Sequence, residues 1–248
     1  MSDQLNQKEA INTLLAEGKC LIVILDACRW NTFAKVNWLP GKLQKAVSAG
    51  STTWEWAKNT FEGQYPDTIY VSSVPYISGK YLPKLHQNYD ASKHFFLVAD
   101  VWDWGYDDNT FTVLPKTVIK ATITVYENYL RPIGKNIIAH FMQPHSPMIG
   151  SPPFTIATWE KETGQKMDGR FPKYEDICNW GMKDKLIEAY EGNLHFVLAE
   201  VEKLVTEWEG KVIITADHGE GFGESGVFGH YAGIRTPELV EVPFFKLA

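Results

Sequence analysis

Apolar residues recur along the chain in two rhythms, one helical and one extended. Ile11, Leu14 and Leu15 stand at helical spacing within residues 9–15, and Gly18 stops that helix just before the run Cys20-Leu-Ile-Val-Ile-Leu-Asp26. That run predicts a buried strand. Similar short apolar or β-branched runs at 68–72, 94–98, 136–141, 211–215 and 242–245, several separated by helical patterns, predict a mainly parallel sheet with helices on both faces. The clearest helix covers about 182–208, where Leu186, Ile187, Tyr190, Leu194, Val197, Leu198, Val201, Leu204, Val205 and Trp208 make one stripe and Gly210 ends it. The strand at 211–215 then delivers Asp217 and His218 at its carboxyl end. Ligands bind at that edge of open α/β sheets, so Asp26 and Asp217 are led to one rim. Residues 147–174, rich in Pro, Gly and Thr, and residues 102–109 predict long surface loops.

Composition narrows the class. With 248 residues, 44 % of them hydrophobic, the chain predicts one soluble α/β domain spanning 1–248. A net charge of −6 gives no reason to expect nucleic acid or an anionic membrane as partner, so an anionic substrate must be attracted locally. Residues 1–19 lack an apolar signal region, and the apolar runs are short of the roughly 20 residues needed to cross a bilayer. Cys20, Cys28 and Cys178 cannot all pair and show no Cys-x-x-Cys spacing. Together these features predict a reducing, cytoplasmic setting.

Four segments carry candidate chemistry. Asp217-His218-Gly-Glu220, followed by a glycine-rich stretch and His230, supplies hard and borderline ligands suited to a divalent cation such as Mg²⁺, Mn²⁺ or Zn²⁺. Asp26 ends an apolar strand and needs a counter-charge. Arg29 is one such partner; alternatively Asp26 binds a cation while Arg29 neutralises a neighbouring acid or an anionic substrate. Ser51, Thr52 and Thr53 precede an apparent helix, where a hydroxyl is an N-cap or a nucleophile beside anion-holding N–H groups. His145, flanked by Pro144 and Pro147, is a held imidazole able to contact an oxyanion, protonate a leaving group or bind metal, and His140 is a core residue or a functional one.

In chain order these segments resemble the alkaline phosphatase-like superfamily, in particular its sulfatase-like branch, over about residues 20–245. The Asp26 segment with Arg29 is similar to that family's first metal-binding strand end, and Gly-Ser-Thr-Thr53 to its nucleophile segment. Gln-Pro-His145-Ser-Pro resembles its Pro-His-x-Pro substrate loop, and Asp217-His218-Gly-Glu with Gly-His230 its most specific signature. The resemblance implies a three-layer α/β/α sandwich in which Asp26, Thr53, Asp217 and His218 bind one divalent cation, Zn, Mn, Mg or Ca. Thr53 would be the nucleophile, its spacing from Ser48 and Gly50 fitting the family's threonine variants. His145, His230 and Arg29 would serve catalysis, the two imidazoles facing the transferred oxyanion or leaving group, or holding a second metal.

Two departures from the family pattern refine this. Thr53 is followed by Trp-Glu-Trp rather than x-Pro-Ser-Arg, so formylglycine cannot form, which shifts the expectation from sulfate to phosphate esters. Phe141 stands four before His145 where an additional Asp would complete a two-metal pair, so one ion is the expected count. The expectation is thus a metal-dependent hydrolase or transferase of small-molecule or glycan-linked phosphate esters through a covalent threonine. The alternatives are a sulfatase-like or phosphonate-ester hydrolase, and a non-catalytic glycan- or anion-binding protein whose Trp102, Trp104 and Tyr106 either stack on a ligand or pack a loop down. The chain ends at Ala248, soon after a strand, which predicts a more open cleft or one completed in a homo-oligomer.

Overall fold

The structure is a computed structural model that describes residues 4–86, 88–130, 135–206 and 208–248. Its main sheet contains β1 (Leu5–Asn6), β2 (Cys20–Leu25), β3 (Gly41–Val47), β4 (Tyr65–Ser72), β5 (Phe95–Asp100), β6 (Asn136–Phe141), β7 (Lys211–Ala216) and β8 (Glu241–Leu247). They lie in the order β1-β3-β8-β7-β2-β6-β4-β5. Every neighbouring pair is parallel except those of β8, which runs antiparallel to both β3 and β7. All residues of β2 and β6 are buried, as central strands covered on both faces must be.

The main helices are α1 (Gln7–Glu17), α2 (Trp30–Val36), α3 (Thr53–Thr60), α4 (Pro115–Val125), α5 (Ile156–Thr163), α6 (Tyr174–Asn179) and α7 (Lys183–Thr206). They form two packed sets, α1 with α3, and α7 with α2 and α4, one on each side of the sheet. This is the α/β/α layering that the resemblance implies. Gly18, at φ 80°, ends α1 by adopting a conformation that side-chain-bearing residues avoid.

Register sets the functional edge. Leu25 of β2 pairs with Phe141 of β6 on one side and with Ala216 of β7 on the other. The residues that follow, Asp26, Met142 and Asp217, therefore leave the sheet side by side at its carboxyl edge.

The expected strands and the long helix are present, but two loop expectations need correction. Residues 147–174 are not an irregular surface loop: they contain α5, opened by a reciprocal Thr155–Thr158 capping box, and lead into α6. Phe154, Trp159, Tyr174 and Ile177 from this region join Leu186, Tyr190 and Phe222 in a second hydrophobic cluster. Residues 102–109 likewise include the end of a helical turn, Val101–Trp104, and one arm of a hairpin pairing Tyr106–Asp107 with Thr112–Val113. β3 carried no clear apolar signal because most of its side chains are only partly covered, and Lys42, Gln44 and Lys45 interrupt its pattern.

Candidate functional site

The turn after β2 sets the first carboxylate. Asp26 is buried, and Ala27 beyond it sits at φ 57°, a left-handed conformation uncommon for a residue with a side chain. Tyr190 of α7 braces this turn: its hydroxyl donates to the Ala27 carbonyl at 2.5 Å and accepts the Arg29 N–H at 3.0 Å. Ala27 N–H in turn donates to Asp217 Oδ1 at 3.0 Å, so the two strand ends are tied together.

Asp217 Oδ1 also accepts the His218 amide at 2.8 Å, whereas Asp217 Oδ2 and Asp26 Oδ1 are buried with no hydrogen-bond partner. His218 Nδ1 lies 2.7 Å from the Gly219 carbonyl, which can only accept, so the proton is on Nδ1 and the Nε2 lone pair is free. Nε2 is 3.3 Å from Asp217 Oδ2, 3.7 Å from Asp26 Oδ1 and 3.4 Å from Thr53 Oγ1. The donor atoms of Asp26, Asp217 and His218 all fall within 4.8 Å of one another. Burial, then the charges of Asp217 and Glu220, push the Asp26 carboxyl well above the usual range, and burial holds His218 well below its own. Orphaned carboxylate oxygens facing an unprotonated imidazole nitrogen and a hydroxyl are a poor arrangement alone and a suitable donor set for a divalent cation.

The three hydroxyls before α3 have separate positions. Thr52 is the N-cap, accepting the Glu55 amide at 3.3 Å. Ser51 directs its amide and hydroxyl to Glu55 Oε2, with the hydroxyl also 2.8 Å from the Tyr231 carbonyl. Thr53, first in the helix, is the one whose hydroxyl meets His218. Gly50 is required here because a Cβ would fall on the Trp56 backbone nitrogen.

A second group, His145, Glu220 and His230, again has its donor atoms within 4.8 Å of one another. It adjoins the first, the His218 and His230 rings being 4.3 Å apart and those of His145 and His230 5.3 Å apart. His145 Nδ1 donates to the Ser146 carbonyl at 2.7 Å, and His230 Nδ1 is 3.0 Å from Glu220 Oε1. Burial would raise Glu220, but His230, His145 and His218 more than offset it and hold the carboxyl below its ordinary value. The acid of this group is thus Glu220, not a residue at position 141.

Arg29 stands apart from both groups, and His140 lies directly behind the first. Arg29, expected to act catalytically, commits its Nη1 to Glu224 at 3.0 Å and lies over the Phe222 ring, steadying the hairpin that leads to His230. Of its expected roles, the structure gives neutralisation of a neighbouring acid. His140 is fully buried within β6, 2.8 Å from the Tyr70 hydroxyl through Nδ1 and 3.9 Å from Asp217 Oδ2 through Nε2. Burial lowers its pKa to about 4, so it backs the site as a neutral ring. Trp102 packs against the core, while Trp104 and Tyr106 are exposed.

Sequence reading placed Glu220 in the ligand-bearing segment without giving it a role of its own, and it overlooked two further residues. Tyr190 looked like one more apolar-stripe residue. Asn193, also on α7, uses Nδ2 on the carbonyls of Pro144 and His145, each at 3.1 Å, while Oδ1 accepts the amides of Ile149 and Gly150 at 3.1 and 3.2 Å. A polar residue beside Gly192 within an apolar stripe was its signal.

No family model matches the chain, and no curated protein matches it by sequence. Solved structures do share its fold. The soluble domain of lipooligosaccharide phosphoethanolamine transferase A from Neisseria meningitidis aligns with a TM-score of 0.56 at 14 % identity, over 92 % of this chain and 75 % of that one. The integral membrane form of that transferase aligns at 0.58 and 14 % identity, over 92 % of this chain, which spans 47 % of the longer protein. The C-terminal periplasmic domain of EcEptC from Escherichia coli, in complex with Zn, gives 0.52 at 13 % identity, covering 93 % and 73 %. The 2-O GAG sulfatase BT1596 gives 0.51 at 13 % identity, covering 93 % and 64 %. The cytoplasmic expectation does not stand against periplasmic domains of this fold. Its grounds were the first residues and unpaired cysteines, neither of which fixes a compartment. Among the described residues no helix is long and apolar enough to cross a membrane.

Proposed function

Starting from a chain with the alkaline phosphatase-like, sulfatase-type fold, we propose a metal-dependent enzyme that transfers or hydrolyses phosphate esters through Thr53 and works outside the cytoplasm. The observation that carries this reading is the meeting of the orphaned oxygens of Asp26 and Asp217 with His218 Nε2 and the Thr53 hydroxyl. Those residues would hold one divalent ion, with zinc the first to test given the Zn complex of the EcEptC domain. Such an ion supplies positive charge that acidifies the hydroxyl and binds the phosphate oxygens.

The chain's own groups then divide the work. Thr53 sits at the first helical position, where N–H groups of α3 face an incoming anion. Its Oγ1 forms a bond to phosphorus as the bond to the ester oxygen breaks. Burial alone would lower the His230 pKa, but the Glu220 carboxylate overrides it and holds the imidazole above its ordinary value. This pairing favours the protonated imidazole, from which a proton can pass to the departing oxygen. Water or an acceptor alcohol subsequently takes the phosphoryl group from Thr53, the choice deciding between hydrolase and transferase. Glycan-linked and small-molecule esters both fit this scheme.

The test uses zinc-loaded protein and an aryl phosphate, with an aryl sulfate in parallel. The wild type is expected to release the phenol from the phosphate and to show a phosphoryl adduct on Thr53 by mass spectrometry. Thr53→Ala should lose at least about a thousandfold in rate, the scale of removing a nucleophile. Retained turnover in Thr53→Ala overturns the nucleophile; faster turnover of the sulfate overturns the substrate class. Failure to bind stoichiometric metal, with no ester turned over, identifies a binding protein instead.

A further inference from the structure

A second cavity opens beside the site. It lies between the hairpin at 106–113 and the segment at 147–171, has a volume of about 370 Å³, and is walled by Tyr106, Phe111, Pro147, Ile149, Ile156 and Phe171. That volume lies within the roughly 300–1,000 Å³ of small-molecule sites. Among the described residues no Asp, Glu, Lys, Arg or His lines it. The cavity at the His145–Glu220–His230 group is the opposite in character, including Lys173 and Glu175 in its walls.

The two cavities are neighbours. Phe171 lines both, and Pro147 of the apolar one is two residues from His145, so their Cα atoms are no more than about 7.6 Å apart. The hairpin side is also built to keep an aromatic ring open. Phe111 takes φ 55°, a left-handed conformation that is rare for a bulky residue, and half of its surface is exposed. Asp107 supports the preceding bend by accepting the amides of Asn109 and Thr110 at 2.9 and 3.0 Å. Backbone strain that presents an apolar ring to a cavity, rather than to the core, is a feature of ligand-holding segments.

We propose that this cavity receives the uncharged, apolar organic group of the ester whose phosphate lies at the adjoining histidines. The inference rests on the ester reading above and adds the substrate's chemical class: a phosphate carried on an alkyl or aryl group. An apolar chain entering the cavity meets walls that are mostly apolar, Asn109, Thr110 and Thr155 being the polar residues among them, and each buried methylene contributes up to about fourfold in specificity.

Ethyl, butyl and hexyl phosphate form the test ladder, with phosphate release measured for zinc-loaded wild type, Phe111→Ala and Ile156→Ser. Binding of the fluorescent probe N-phenyl-1-naphthylamine is followed in parallel. The wild-type kcat/KM should rise at least tenfold from ethyl to hexyl, and that ratio should fall toward one in both variants. Phe96→Ser, exposed on the far edge strand, should keep the wild-type ratio. Turnover without dependence on chain length overturns this inference and leaves the ester reading standing. If no ester is turned over, yet the probe binds wild type and is lost in Phe111→Ala, the ester reading fails and the apolar site remains.

Discussion

Two buried carboxylates within reach of one imidazole nitrogen are an unfavourable arrangement without a cation. Asp26 and Asp217 are buried, each has an oxygen with no hydrogen bond, and burial together with the Asp217 charge pushes the Asp26 carboxyl well above its ordinary range. Asp26→Asn removes one of the charges while keeping the shape. The metal-free variant should therefore melt above metal-free wild type, by about 2–4 °C for each kcal/mol recovered, and should lose ester turnover. A calorimetric scan in chelator checks the first expectation; a lower melting temperature would show that the carboxylate is already compensated by groups of the fold.

Element packing positions these residues, and α7 has the largest share. One face of this helix fills the core, yet Tyr190 holds the Asp26 turn and Asn193 holds the His145 loop. Asn193→Ala strands buried backbone groups and should destabilise the protein by about 1–3 kcal/mol, with kcat falling more than KM rises, as urea unfolding and steady-state kinetics would show. The start of α3 is latched in a comparable way. Glu55 accepts from the Ser51 amide and hydroxyl at 2.8 and 2.9 Å and from the Gly233 amide at 3.4 Å, and Arg235 donates to the Ser48 carbonyl at 2.8 Å. These contacts fasten the loop after His230 to the helix that bears Thr53. Burial raises the Glu55 carboxyl, but Ser51, Gly233 and Arg235 outweigh it and leave its pKa below the ordinary 4.5. A depressed carboxylate stabilises above its unfolded value and loses that contribution as pH falls through the folded one. Glu55→Gln should accordingly be less stable than wild type at pH 7, with the gap in melting temperature closing below about pH 4.5.

On the scale of the whole molecule, ion binding couples the strand ends to each other. Because the donors come from β2, α3 and β7, distant parts of the chain, a cation bound only by the folded state should stabilise all of it. Zinc at a hundredfold excess over Kd contributes about 2.7 kcal/mol, or roughly 5–10 °C for a protein of this size. A chelator should reverse the shift, and an unchanged melting curve would remove the ion from the account. Much of the architecture was legible in the sequence, because a strand covered on both faces must be apolar throughout and a helix over a sheet must repeat its stripe. The run ending in Asp26 and the stripe of α7 declared themselves for that reason. The convergence of Asp26 and Asp217 on one rim was legible too, because each follows a buried strand, whereas it was the family resemblance that joined Thr53 and His218 to them. What patterns along the chain cannot express is which side chains meet across it. Only tertiary structure brought Glu220 between two histidines, turned Arg29 to Glu224, gave Tyr190 and Asn193 their bracing contacts, and folded residues 147–171 into the wall of an apolar cavity. Local sequence fixes burial and periodicity, whereas each of these meetings depends on register and packing between segments far apart in the chain.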